Sequence, residues 1–145
     1  MKVTIAAVAI AASYCILRAQ EGSRTVWDGV FTEAQARRGQ EHYNQHCAAC
    51  HGDTLTGGDM SPALVGGQFL SNWNGLTLDD LFERNRKTMP PGRPGRLSRE
   101  VNADILAFLL SANEFPAGRT ELTQDAKHLK QIRIEATRPV RSDKQ

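Results

Sequence analysis

The stretch CAACHGD, residues 47–53, constrains this chain more than any other. Cys47 and Cys50 stand three residues apart and His51 follows directly. Three chemistries use such a pair. A dithiol redox site needs a βαβ surround, and no apolar β run with a crossover helix precedes Cys47. A structural zinc site needs four ligands; no second Cys/His pair follows at the expected spacing, although His42 and His46 lie just upstream. Covalent haem attachment uses the whole pattern, C-x-x-C-H. Two thiols on one helical turn can add to two vinyl groups on one porphyrin edge. The next residue then projects an imidazole onto the iron. Gly52 keeps the chain close to such a ring without a clashing side chain.

The start of the chain fits chemistry performed outside the cytoplasm. Lys2 is followed by an apolar run of 15 residues, Val3 to Leu17, short of the ~18–20 that a membrane-spanning helix needs. Residues 1–19 read as a signal peptide cleaved near Ala19 or Gln20, although Leu17-Arg18-Ala19 is an imperfect cleavage site. An uncleaved anchor is the alternative, and membrane contact is expected only in that case. Cleavage removes Lys2 and Arg18, so the formal charge falls from 18 − 16 = +2 to 16 − 16 = 0. A neutral chain without a basic, aromatic-rich patch gives no nucleic-acid case. Cleavage also removes Cys15, leaving Cys47 and Cys50 as the remaining thiols. A disulfide between them would close too short a loop to staple a fold. Bulky Tyr14 argues against lipid attachment at Cys15.

Helical signals follow. Thr32 reads as an N-cap, Gln35 completes a T-x-x-Q capping box, and Phe31 can staple onto Ala36. Ala36, Gly39, Tyr43 and Cys47 recur at helical spacing. A glycine in mid-helix costs about 1 kcal/mol against alanine, so Gly39 marks either the close approach of another helix or a tolerated exception. Residues 52–75 hold six glycines and Pro62 and read as irregular loop, long enough to wrap a flat cofactor. Thr77 caps a second helix, with Asp80 at N3, running to Arg86 or Lys87 before Pro90-Pro91. Ser98 caps the last helix. Val101, Ile105, Phe108, Leu109 and Ala112 form its amphipathic stripe, and Asn113 and Pro116 end it. No strand pattern exceeds four residues. The expected class is all-α, with an amino-terminal segment at 20–31, a globular domain at 32–113 and a carboxy-terminal extension at 114–145. That extension, despite Leu129, Ile132 and Ile134, reads as lying along the globule and partly mobile.

GQEHYNQHCAACHG, TMPPGRPG and DILAFLLSAN together resemble a class I cytochrome c, over about Thr32 to Asn113. The resemblance implies a cytochrome c fold around one covalently attached haem c, with first and last helices crossing at a glycine opposite an aromatic ring. It implies that Ile105, Phe108 and Leu109 face Gly39, Tyr43 and the haem edge. It also implies that the Pro62 carbonyl accepts a hydrogen bond from His51; otherwise Pro62 is a loop stiffener. Trp73 either donates its indole N–H to a haem propionate or packs in the core. Trp27 reads as a packing anchor.

The sixth iron ligand separates a carrier from an enzyme. Met89 lies 38 residues beyond His51 in a Pro-Pro-Gly loop between helices, and it resembles the family's methionine-proline signature. Met60 follows His51 by nine residues, where the chain is still leaving the proximal side. His42 and His46 read as solvated or capping, and His128 as a surface residue. A His/Met pair raises the potential of the iron and leaves no open position. The expected function is therefore periplasmic one-electron transfer without enzymatic activity. A haem sensor or peroxidase-like protein with an open distal site is the alternative, weakened by the lack of a distal acid–base histidine. Redox proteins are the expected partners. By resemblance, the donor is an exported quinoprotein dehydrogenase, and the acceptor a terminal oxidase or another cytochrome.

Overall fold

The computed structural model describes residues 24–140; the expected signal peptide and Cys15 lie outside the described residues. β1 (Arg24–Thr25) leads through a 3-10 turn, Val26–Asp28, to α1 (Glu33–His46) and the single turn α2 (Ala48–His51). α3 (Gly66–Trp73), α4 (Leu78–Thr88) and α5 (Arg99–Ala112) follow, then α6 (Ala126–Leu129) and β2 (Ile132–Arg133), which pairs parallel with β1. The fold is all-α apart from that two-residue ladder. Among the described residues no helix is long and apolar enough to cross a membrane.

The caps fall where the sequence places them. Thr77 and Asp80 exchange both capping-box hydrogen bonds, and Ser98 Oγ accepts from Val101 N at 3.1 Å. Thr32 Oγ1 accepts from Gln35 N at 3.1 Å, but the expected box stays open there. The Gln35 side chain turns inward, donating to Leu122 O at 3.0 Å and accepting from Leu122 N at 2.6 Å. A buried amide gains more by satisfying a buried backbone than by capping a helix start that water can solvate.

α1 packs across α5 at Gly39. A Cβ there would collide with the Asp104 carbonyl and come within 2.9 Å of Phe108 Cβ. Close approach, not tolerance, explains this glycine. Tyr43 and Phe108 meet one turn further on, ring centroids 5.3 Å apart. Arg38 fixes the crossing angle. Its guanidinium donates to both oxygens of buried Asp104 at 3.1 Å and to both of Glu121 at 2.9–3.0 Å.

Two expectations need correcting. The stretch 52–75 is not all loop, since Gly66–Trp73 forms α3 and buries Phe69. Its two leading glycines hid the Phe69-Leu70-Trp73 face. The described part of the carboxy-terminal extension contributes to the core rather than only lying along the globule. Leu122, Leu129, Ile132 and Ile134 are all buried, in one cluster with Val26, Phe31, Phe82, Leu106 and Leu110. Trp27 anchors the other end of the chain to it, donating to Glu135 O at 2.8 Å and meeting Phe115 edge to face. The reason lies in α5, which is buried on both sides: Ile105 and Leu109 face one cluster, Leu106 and Leu110 the other.

Candidate haem-binding site

Cys47 is where α1 ends and α2 begins. Its φ of −126° and ψ of −36° redirect the chain, while its N–H still donates to Tyr43 O at 2.8 Å. Cys50 N and His51 N then both donate to Cys47 O, at 3.1 and 2.9 Å. One tight turn thus carries both thiols and the imidazole. Gly52 follows at φ +76° with nothing within 4 Å of a hypothetical Cβ. The backbone conformation requires glycine there, a reason beyond the clearance expected from the sequence. Tyr43, fully buried, donates its hydroxyl to Gly52 O at 2.7 Å and pins the exit from the turn.

His51 is 7% exposed, and its Nδ1 lies 2.9 Å from Pro62 O. A carbonyl can only accept, so Nδ1 carries the proton. Nε2 keeps a lone pair for a metal, in an orientation the carbonyl fixes. Pro62 therefore makes the contact the resemblance implies.

A cavity of about 430 Å³ opens above this turn. Tyr43, Cys47, Cys50 and His51 line it with Pro62 and Leu64, while α5 contributes Ile105 and Leu109. α4 and the loop after it supply the remaining wall with Leu81, Arg84, Asn85, Thr88, Met89, Pro90 and Pro91, and Trp73 closes one side. Met89 is the C-cap of α4, extended at φ −118° and ψ 146°. Its N–H donates to Asn85 O at 2.9 Å, and Gly95 N donates to Arg86 O at 3.0 Å, which ties the Pro-Pro-Gly loop back onto the helix.

The lining fits haem c: a largely apolar space, two free thiols beside one imidazole, and a thioether on the same cavity. Burial, followed by the charge of Cys50, pushes the Cys47 thiol up to about 11, so before attachment it stands protonated at neutral pH. Burial, then the charges of Cys47 and Asp53, pushes Tyr43 up to about 12. Its hydroxyl stays a donor throughout the physiological range.

Not every candidate converges. Phe108 is not among the lining residues; it packs against Tyr43 and Gly39, the helix-crossing contact the resemblance implies. Trp73 lines the cavity and packs against Phe69 at 6.4 Å between centroids. Met60 stands on the rim, 95% exposed. His46 lines the rim as well, whereas His42 and His128 do not. His128 instead bonds Asp125 Oδ2 at 2.7 Å.

Two groups escape the sequence reading. Arg84, Asn85 and Thr88 precede Met89 by five, four and one positions, a spacing that places them on the helix face Met89 terminates. Asn113, expected only to end a helix, accepts from Gly66 N at 3.0 Å and donates to Leu64 O at 2.9 Å. It thereby anchors the loop after Pro62 to the end of α5. Nothing local in the sequence signals that long-range bond.

A family profile described as Cytochrome C oxidase, cbb3-type, subunit III matches residues 34–109. No curated protein matches the chain significantly. Among solved structures, the sulfane dehydrogenase SoxCD from Paracoccus pantotrophus shares the fold with a TM-score of 0.51 and 23% identity. That match spans 74% of this chain and 61% of the other, under two thirds of its length.

Proposed function

We propose, since this chain belongs to the cytochrome c family, that it is an exported carrier of single electrons, not itself an enzyme, with His51 and Met89 as axial ligands. It carries covalently bound haem c, which supplies one-electron exchange at its iron. Cys47 and Cys50 tether it through one turn. His51, held at Nδ1 by the Pro62 carbonyl, presents Nε2. Met89 contributes a soft thioether, which favours the reduced state. Filling both positions leaves no iron site for a substrate, and fixed ligands mean little rearrangement when the charge changes. The single observation that carries this reading is that one cavity is lined by both His51 and Met89, the latter on a loop tied to α4.

Export rests on the amino-terminal leader signals, and the periplasm is the compartment they indicate. Exported quinoprotein dehydrogenases are the proposed donors, and a terminal oxidase or another cytochrome the acceptor. Because the neighbour of shared fold is a sulfane dehydrogenase, dehydrogenases of small sulfur compounds join the donors to be tried.

The test is the visible spectrum of the purified protein. Oxidised wild type should show the weak sulfur-to-iron band in the far red, and the reduced protein should exclude carbon monoxide. Met89→Ala should abolish the band, lower the potential and admit carbon monoxide, whereas Met60→Ala should do none of these. Fast carbon monoxide binding by wild type, without the band, would replace the carrier by the sensor reading.

A further inference from the structure

We propose that His42 and His46 form a two-imidazole site for a divalent copper ion at the rim of the haem cavity. The two stand at i and i+4 on α1, so both project from one helix face. Their rings are nearly parallel, 12° apart, with centroids separated by 6.4 Å. Metal–nitrogen bonds of about 2 Å put two imidazoles bound side by side to one ion at roughly 4.5–5 Å between centroids, closer than the pair stands. Both rings must turn about their χ angles so that their nitrogens converge, and this is cheap because His46 is exposed and His42 only half-buried. Among the described residues neither ring has a hydrogen-bond partner, so coordination gives up only the contact between the two rings. Arg38, one turn back on α1, is already paired with Asp104 and Glu121.

The donor set selects the metal. No group of three or more His, Cys, Asp or Glu side chains converges among the described residues, so the closed four-ligand sphere of structural zinc is not available. Two imidazoles completed by water suit copper, which also binds such nitrogen donors most tightly among the divalent first-row ions. The position adds a consequence. His46 borders the cavity and precedes the haem-bearing Cys47, so a copper ion there sits beside the redox centre. The site needs no haem to form, and it stands or falls separately from the axial-ligand reading.

The test uses the holoprotein, in which Cys47 and Cys50 are thioethers and do not compete for metal. Copper(II) sulfate titrated calorimetrically into wild type should bind at one ion per chain, and the electron paramagnetic resonance signal should carry splitting from two nitrogens. His42→Gln and His46→Gln should each weaken binding about tenfold or more, because the second ligand acts at high effective concentration. Both should keep the visible haem spectrum. His128→Gln should bind copper as wild type does. Undiminished binding in the His42→Gln/His46→Gln double variant, or no binding by wild type, would overturn the proposal.

Discussion

Gly39 shows how much one hydrogen atom can decide. In an isolated helix its replacement by alanine would add about 1 kcal/mol of stability. Here the added methyl meets the backbone carbonyl of Asp104, which cannot yield unless α1 and α5 separate. Gly39→Ala should therefore destabilise the protein by on the order of 2 kcal/mol, the usual cost of overpacking. Urea unfolding measures it, and an unchanged or raised midpoint would show that the glycine is merely tolerated. This residue was legible because a mid-helix glycine demands a reason. Cys47, Cys50 and His51 were legible because their spacing is the chemistry. Arg38 was not: its double fork joins residues 66 and 83 positions away, and nothing within reach in the sequence announces them. Gln35 misled for the same reason, since a local capping pattern lost to a distant backbone that needed both halves of its amide.

At the scale of elements, one carboxylate ties α4 to α5 beside the Asn85–Asn102 hydrogen bond. Glu83 bonds Arg86 at 2.7 Å within α4 and Arg99 at 3.0 Å across to α5, with Lys87 at 3.2 Å. Arg99 also lies over the Phe82 ring, 4.6 Å from its centroid. Arg86 above all, then Arg99 and Lys87, holds the Glu83 carboxyl down at about 2, against an ordinary 4.5. A carboxyl depressed in the folded state contributes stability that is complete above the unfolded value and is lost as pH falls through the folded one. The window is thus pH 4.5 down to 2. Thermal midpoints of wild type should fall more steeply across it than those of Glu83→Gln, and the two should keep a constant offset above pH 5. Parallel curves throughout would mean that the ion pairs are too well solvated to matter. The caps of α4 and α5 were plain in the sequence, as Thr77-x-x-Asp80 and Ser98. α3 was not, because glycine-rich starts read as loop even when an aromatic face follows.

For the whole molecule, α5 is a spine between two apolar clusters, and they carry different tasks. Tyr43, Leu55, Ile105 and Leu109 form one, and three of these line the haem cavity. The other joins Leu106 and Leu110 to Leu129, Ile132 and Ile134 of the carboxy-terminal extension and does not reach the cavity through those residues. The sequence showed the first face as a clean helical stripe. It also carried the sign of the second, since Leu106 and Leu110 fall off that stripe and a helix apolar on two sides must be covered twice. Part of what covers the second face lies in the carboxy-terminal extension, whose many charges outweighed the buried Leu122, Leu129, Ile132 and Ile134 in the sequence reading. The two clusters should separate experimentally. Ile134→Ala removes a fully buried side chain and should cost about 2–5 kcal/mol, with the visible spectrum unchanged below the unfolding transition. Leu109→Ala should cost a similar amount and also disturb the spectrum, because the same deletion opens a wall of the cavity that His51 lines. Denaturation followed by far-ultraviolet dichroism, with absorption spectra recorded on the folded variants, compares them directly. If Ile134→Ala alters the haem spectrum as much as Leu109→Ala does, the clusters are one unit, and the extension acts on the redox centre rather than on the stability of the fold alone.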